Sequence, residues 1–148
     1  MSNYFKGVIS IPEVTGNIVI TVTTEGQAVN LFDPSTATYN ARIKGTGEVV
    51  GGTAANGIVV TAPIDVRNLT TLTVSGITEV FNSGYGYYAC MCAYSDSAGT
   101  TISGTVATYS SEQYTFDVSS ASYVRLAFVL SSSAISAEDT ANLTIYGS

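Results

Sequence analysis

The chain of 148 residues contains no histidine and no tryptophan. Without histidine, neither a Ser-His-Asp triad nor a Cys-His pair can be assembled, and no metal site can use imidazole. Without tryptophan, only tyrosine and phenylalanine remain as stacking platforms for sugar rings. Charge is scarce as well: charged residues make up 11% of the chain, and only five residues are basic. Those five, Lys6, Arg42, Lys44, Arg67 and Arg125, form no run, and the net charge is −6. A nucleic-acid binder needs a cationic footprint to displace counterions from phosphate, so this field repels DNA, RNA and anionic membrane surfaces. No stretch approaches the roughly 18 consecutive apolar residues of a spanning helix, so no membrane insertion is expected. The opening residues MSNYFKGVISIPE carry one cation and no continuous apolar segment, so no secretory signal is expected there.

What is present points to strands. Hydrophobic residues make up 45%, and Gly, Ser and Thr fill most of the remainder. That balance suits a β-rich domain with hydroxyl residues on its outward faces, and the length is that of one domain. A chain of this size buries roughly 70% of its unfolded surface, enough for one core without staples.

Apolar residues alternate with period two, and helical spacing does not recur. Residues 8–11 and 17–23 read as two strands of a hairpin with a Gly-containing loop between them. A polar stretch follows over residues 25–37, where Asp33-Pro34 favours a turn. Short strands are expected at 39–43, 48–50 and 58–61, separated by Gly-rich turns, and at 64–66, with Pro63 at an edge or strand-start position. Further strands are expected at 71–75, 85–94, 113–118, 123–130 and 142–146. Within 123–130, Val124, Leu126, Phe128 and Leu130 share one face, and Arg125 and Ala127 the other. The only helix candidate, residues 136–141, predicts a loop or a single turn. About ten strands at this spacing predict an all-β fold, a two-sheet antiparallel β-sandwich of jelly-roll type. The organisation read from this is an N-terminal β-hairpin over residues 1–24 and a sandwich domain over 25–148.

The stretch GYGYYACMCAY, residues 84–94, holds four of the ten tyrosines and both cysteines. In a strand, Tyr88, Cys90, Cys92 and Tyr94 share one face, and Tyr85, Tyr87, Ala89, Met91 and Ala93 the other. Two cysteines two apart have Cα atoms about 6.5–7 Å apart with parallel side chains, at the limit for a disulfide. Without further Cys or His they supply half of a zinc site. Packing as small apolar residues is the better reading of both.

Two resemblances attach to these patterns. Residues 1–24, with Gly7, Ile9, Ile11 and the run VTGNIVIT from Val14 to Thr21, resemble the closing hairpin of Ig-like repeats in phage tail and minor structural proteins. The remainder is similar to jelly-roll modules of phage structural proteins, which themselves resemble carbohydrate-binding modules. Its matching pieces are NLFD at residues 30–33, the run over 64–77, AYSDS at 93–97 and ASYVRLAF at 121–128. Membership would imply a non-enzymatic particle component, on head or tail; an adhesin-like composition without an expected export signal fits a protein made in a host cytoplasm, released by lysis and displayed on the virion surface. Its partners would be other virion proteins and further copies of itself, with the hairpin docking on a neighbour or completing the sandwich.

The resemblance to carbohydrate-binding modules also implies two candidate sites. Tyr85, Tyr87, Tyr109 and Tyr114 are the candidate stacking surface for host or environmental glycans on a concave sheet. Many such modules hold a structural Ca²⁺, for which Asp33, Asp96, Glu138 and Asp139 in predicted loops are the candidate ligands. Calcium takes six to eight oxygens and no EF-hand spacing is present, so solvated loop carboxylates are the better reading. No other cofactor is expected. A glycosidase needs a carboxylate pair about 5–9.5 Å apart across a cleft, and no pair is marked by its surroundings.

Overall fold

The computed structural model describes residues 28–77, 89–103 and 114–148. The expected hairpin at 1–24 lies outside them. Among the described residues the chain forms eleven strands. They are β1 (Thr38–Tyr39), β2 (Ala41–Ile43), β3 (Val49–Gly51), β4 (Ile58–Val60), β5 (Ile64–Asp65) and β6 (Thr71–Ser75). After these come β7 (Ala89–Tyr94), β8 (Thr101–Ser103), β9 (Tyr114–Asp117), β10 (Tyr123–Val129) and β11 (Thr144–Gly147). Two 3₁₀ turns complete the list, Thr53–Ala55 and Ala137–Thr140. The second is the single turn expected at 136–141, closed by a capping box between Ser136 and Asp139.

The architecture is all-β with curved antiparallel sheets. A six-stranded sheet runs β1-β4-β10-β7-β8, with β5 also pairing β10. A three-stranded sheet runs β11-β6-β9, and β2-β3 is a separate hairpin. The two larger sheets share one core. Val59, Met91, Leu126 and Phe128 from the first meet Leu72, Val74, Phe116 and Ile145 from the second. β6 shows why: in TLTVS, Leu72 and Val74 are buried and the hydroxyl residues between them are half-buried on the other face.

The six-stranded sheet is buried on its other face too. Cys90, Cys92, Tyr94, Ala127 and Val129 form a second core with Ala41 and Ile43 of the β2–β3 hairpin and Ala55 of the first 3₁₀ turn. Central strands β4 and β7 therefore read as near-continuous apolar runs, IVV and ACMCAY. Arg125 and Ala127 do sit opposite the main core, but that face is covered as well. Where two sheets were expected, the hairpin adds a third, smaller layer.

Asn40 creates that layer. Residues 39–43, expected as one strand, are split at Asn40, which takes φ 53°. Asparagine tolerates the left-handed region and can bond backbone groups itself. Its Oδ1 accepts from the Gly57 N–H (3.3 Å) and the Ile135 N–H (2.9 Å), and its Nδ2 donates to the Ile135 carbonyl (3.0 Å). β1 stays with β4, and β2 leaves to pair with β3.

Candidate ligand-binding cleft

A concavity forms where a bulge in the six-stranded sheet meets the NLFD segment. From Val60 to Ile64 the chain advances four residues, while the partners on β10 run from Ala127 to Val124, only three. One residue is therefore extra, a β-bulge. Thr61 closes it: its N–H donates to the Leu126 carbonyl (2.9 Å), and its Oγ1 accepts from the Leu126 N–H (3.0 Å) in place of a backbone oxygen. Pro63, which has no N–H to offer, follows at the start of β5. β5 then resumes the pairing with β10, one residue out of step with β4.

That segment is held by Asn30. Its Oδ1 accepts from the Ile145 N–H (2.8 Å) and the Phe32 N–H (3.1 Å), its Nδ2 donates to the Leu143 carbonyl (3.3 Å), and the Leu31 N–H donates to the Ile145 carbonyl (2.8 Å). The segment thus lies along the outer edge of β11. The Asp33-Pro34 turn follows as expected, with the Thr36 N–H on the Asp33 carbonyl and the Tyr39 hydroxyl on the Pro34 carbonyl.

Between segment and bulge lies an open cleft of about 270 Å³. Leu31, Ala62, Pro63 and Ile64 give it apolar walls, and Asp33, Thr36 and Asp65 place oxygens around it. Both carboxyls are held below the ordinary aspartate range. For Asp33 the cause is hydrogen bonding from Ser35, whose hydroxyl (2.6 Å) and N–H (2.8 Å) both donate to Oδ1. For Asp65 it is Arg67, which donates from Nε to Oδ1 (3.0 Å) and from Nη2 to Oδ2 (2.6 Å), with its N–H also on Oδ1. Each is an anion at neutral pH. A glycosidic general acid needs a raised pKa, so this pair is suited to accepting hydrogen bonds from hydroxyl or ammonium groups rather than donating a proton.

Asp33 lies on this cleft, and the other expected calcium ligands do not line it. Asp96 sits in the β7–β8 turn, where it accepts from the Ala98 N–H (2.9 Å) and the Thr100 N–H (3.1 Å). Asp139 caps the second 3₁₀ turn through Ser136 (2.8 Å to its N–H), and Glu138 is its neighbour. Among the described residues, no three His, Cys, Asp or Glu side chains converge as a metal site. Tyr85, Tyr87 and Tyr109 lie outside the described residues. Tyr114 begins β9, an edge strand of the smaller sheet.

Tyr94, from the same tyrosine-rich stretch, is 1% exposed and donates its hydroxyl to the Gly47 carbonyl at 2.6 Å. Burial above all, then the neighbouring Cys92, pushes its phenol above the ordinary tyrosine value. Cys90 and Cys92 are buried and not joined in a disulfide, as the packing reading expects. Sequence reasoning did not single out Asp65, Thr36 or Arg67. The i, i+2 pair Asp65 and Arg67 beside Pro63 was the available signal. Compared with known proteins, the chain matches no family model, no curated protein and no solved structure.

Proposed function

We propose that this chain is a non-enzymatic accessory protein of a bacteriophage particle. It has a jelly-roll-like sandwich displayed on the virion surface as a capsid decoration, head fibre or short tail component. It acts by binding other virion proteins and copies of itself. The observation that supports this reading is a sheet covered on both faces, whose loop carboxylates are consumed in their own turns. That is the build of a rigid scaffold offering surfaces for contact. Immunogold labelling of phage particles with antibody to this chain tests it. Label over capsid or tail is the expected result, and particles free of label would sink the virion assignment. Deleting residues 1–24 tests the docking role of the hairpin, which fails if the truncated chain enters particles as well as the full one.

A second reading, glycan recognition by a tail adhesin, is favoured by the cleft. Its anionic rim suits sugar hydroxyls and its apolar wall suits a ring face. Polysaccharide affinity should then fall in Asp33→Asn and Asp65→Asn. Tyr85→Ala and Tyr87→Ala test the alternative stacking surface in the same assay.

A further inference from the structure

The outer face of the six-stranded sheet continues past the β2–β3 hairpin. There, directly opposed residues Asp65, Tyr123 and Tyr94 form one cross-strand row, and Arg125 opposite Cys92 stands in the next. Paired residues in antiparallel strands project to the same side, so these groups share a face, on which Tyr94 and Cys92 are buried and Asp65, Tyr123 and Arg125 reach solvent. Each tyrosine carries a guanidinium. The Arg67 Cζ lies 5.4 Å from the Tyr123 ring centroid, and the Arg125 Cζ lies 5.7 Å from that of Tyr94. Two of the five cations of a chain with net charge −6 are thus gathered on one patch.

The two arginines are not equally satisfied. Arg67 is held by both carboxylate oxygens of Asp65. The Arg125 Nε is the one buried side-chain nitrogen or oxygen among the described residues with no hydrogen-bond partner. The Arg125 side chain as a whole is half-buried, so part of it faces solvent. A charged donor taken out of water without an acceptor costs free energy, and in a native protein it calls for a partner. Arginine and tyrosine are the residues enriched where protein interfaces are tightest.

We propose that the patch formed by Arg67, Tyr123 and Arg125, floored under Arg125 by the buried Tyr94 ring, is a docking surface for an acidic segment of a partner protein. A partner carboxylate takes the terminal nitrogens of Arg125, and a rotation of the half-buried side chain brings Nε–H onto the same group as a two-point contact. The partner backbone lies across Tyr123. The proposal rests on the protein-binding reading above and gives that partner its chemistry.

The test is NMR of the ¹⁵N-labelled full chain, following arginine Nε–H resonances during titration with a short oligoglutamate peptide. The expected result is a shift of the Arg125 resonance that weakens as salt is raised. Affinity should fall about tenfold in Arg125→Gln, the loss of one charge-assisted contact, and less in Arg67→Gln. Lys44→Gln, whose lysine pairs with Glu48 in the β2–β3 turn, should bind as the parent does. An Arg125 resonance unmoved by the peptide overturns the proposal, and this readout needs no variant to fold. So does a shift produced by oligogalacturonate and not by the peptide, which would make the surface an acidic-glycan site. Self-association of the parent chain lost in Arg125→Gln would reassign the surface to a second copy and also overturn it. Failure here on a chain that labels phage particles removes only this surface, whereas failure of the labelling removes the virion reading.

Discussion

On its inner face the six-stranded sheet sets Leu126, Phe128 and Met91 against Phe116, Leu72 and Ile145 of the second sheet. On its outer face it sets Ala127, Cys90 and Cys92 against Ala41 and Ala55. The first contact is a thick layer of large side chains between two sheets. The second is a mixed layer, in which the small Ala41, Ala55, Cys90, Cys92 and Ala127 sit among Ile43, Ile58, Val129 and Tyr94. Large interdigitating side chains carry stability through buried area, about 25 cal/mol per Å². Small ones bury less and rely on fixed geometry. The outer face also has polar anchors, Asn40 at the root of the hairpin and the Tyr94 hydroxyl on the Gly47 carbonyl at its tip.

The comparison predicts opposite failure modes. Phe116 is fully buried, and Phe116→Ala should cost about 3–5 kcal/mol through lost transfer energy and the cavity left behind. Urea unfolding measures it as a fall in midpoint at constant slope. A loss under 1 kcal/mol would mean that the inner layer is loosely packed. On the outer face the damaging change is enlargement. Asn40→Ala comes next in size, at about 2–3 kcal/mol, because it removes three hydrogen bonds and keeps a non-glycine residue at positive φ. Asn40→Gly should recover about 1 kcal/mol of that by relieving the backbone alone. Equal losses in the two variants would show that conformation, not hydrogen bonding, is unimportant at this position.

Ala127→Leu should cost about 1–3 kcal/mol by forcing the hairpin away from the sheet. It should also expose the thiols beneath. In the parent chain Cys90 and Cys92 are buried and should resist an aromatic disulfide reagent until denaturant is added. Rapid labelling of the native parent would break the comparison, since the outer layer would then be open. Tyr94→Phe is the smaller version of the same experiment. It strands the buried Gly47 carbonyl and should cost about 1–2 kcal/mol, with thiol labelling faster than in the parent.

The inner face was the legible one. Alternation in residues 71–75 and in 123–130 identifies core positions directly, and Leu72, Val74, Val124, Leu126 and Phe128 are all buried. The Asp33-Pro34 turn and the single turn at Ala137–Thr140 also follow from local residue chemistry. The outer face was not legible, because it depends on Asn40 breaking a strand without Gly or Pro to mark the break. β8 was likewise missed, since Thr101–Ser103 carries little apolar signal. The cleft is a product of register. Residues 31–36 and 61–65 meet only because Asn30 fixes one against β11 and a one-residue bulge shifts the other. Neither event leaves a periodic trace. Arg125 read simply as the polar side of its strand, and its lack of a hydrogen-bond partner at Nε appears only in three dimensions.

The loop carboxylates give the smallest and most distributed effect, and they decide between a turn and a metal reading. Asp33, Asp65, Asp96 and Asp117 each accept the N–H two residues on, from Ser35, Arg67, Ala98 and Ser119. All four have pKa values lowered from 3.8, chiefly by side-chain bonds from Ser35, Arg67, Thr100 and Ser119 respectively. A lowered folded-state pKa means that the unfolded chain binds more protons in this range, so stability rises with pH there. The contribution is fully present above 3.8 and is lost as pH falls through the lower folded values. Melting temperature followed from about pH 6 to about pH 2 should stay level and then drop. Asn at all four positions should flatten the drop, since an amide oxygen still accepts the N–H but no longer titrates. If the four-fold variant fell as steeply as the parent, these turns would not be the source of the acid sensitivity. Calcium added at neutral pH should leave the parent's melting temperature unchanged if the carboxylates serve their turns alone, whereas a concentration-dependent rise would mean that some of them hold the ion.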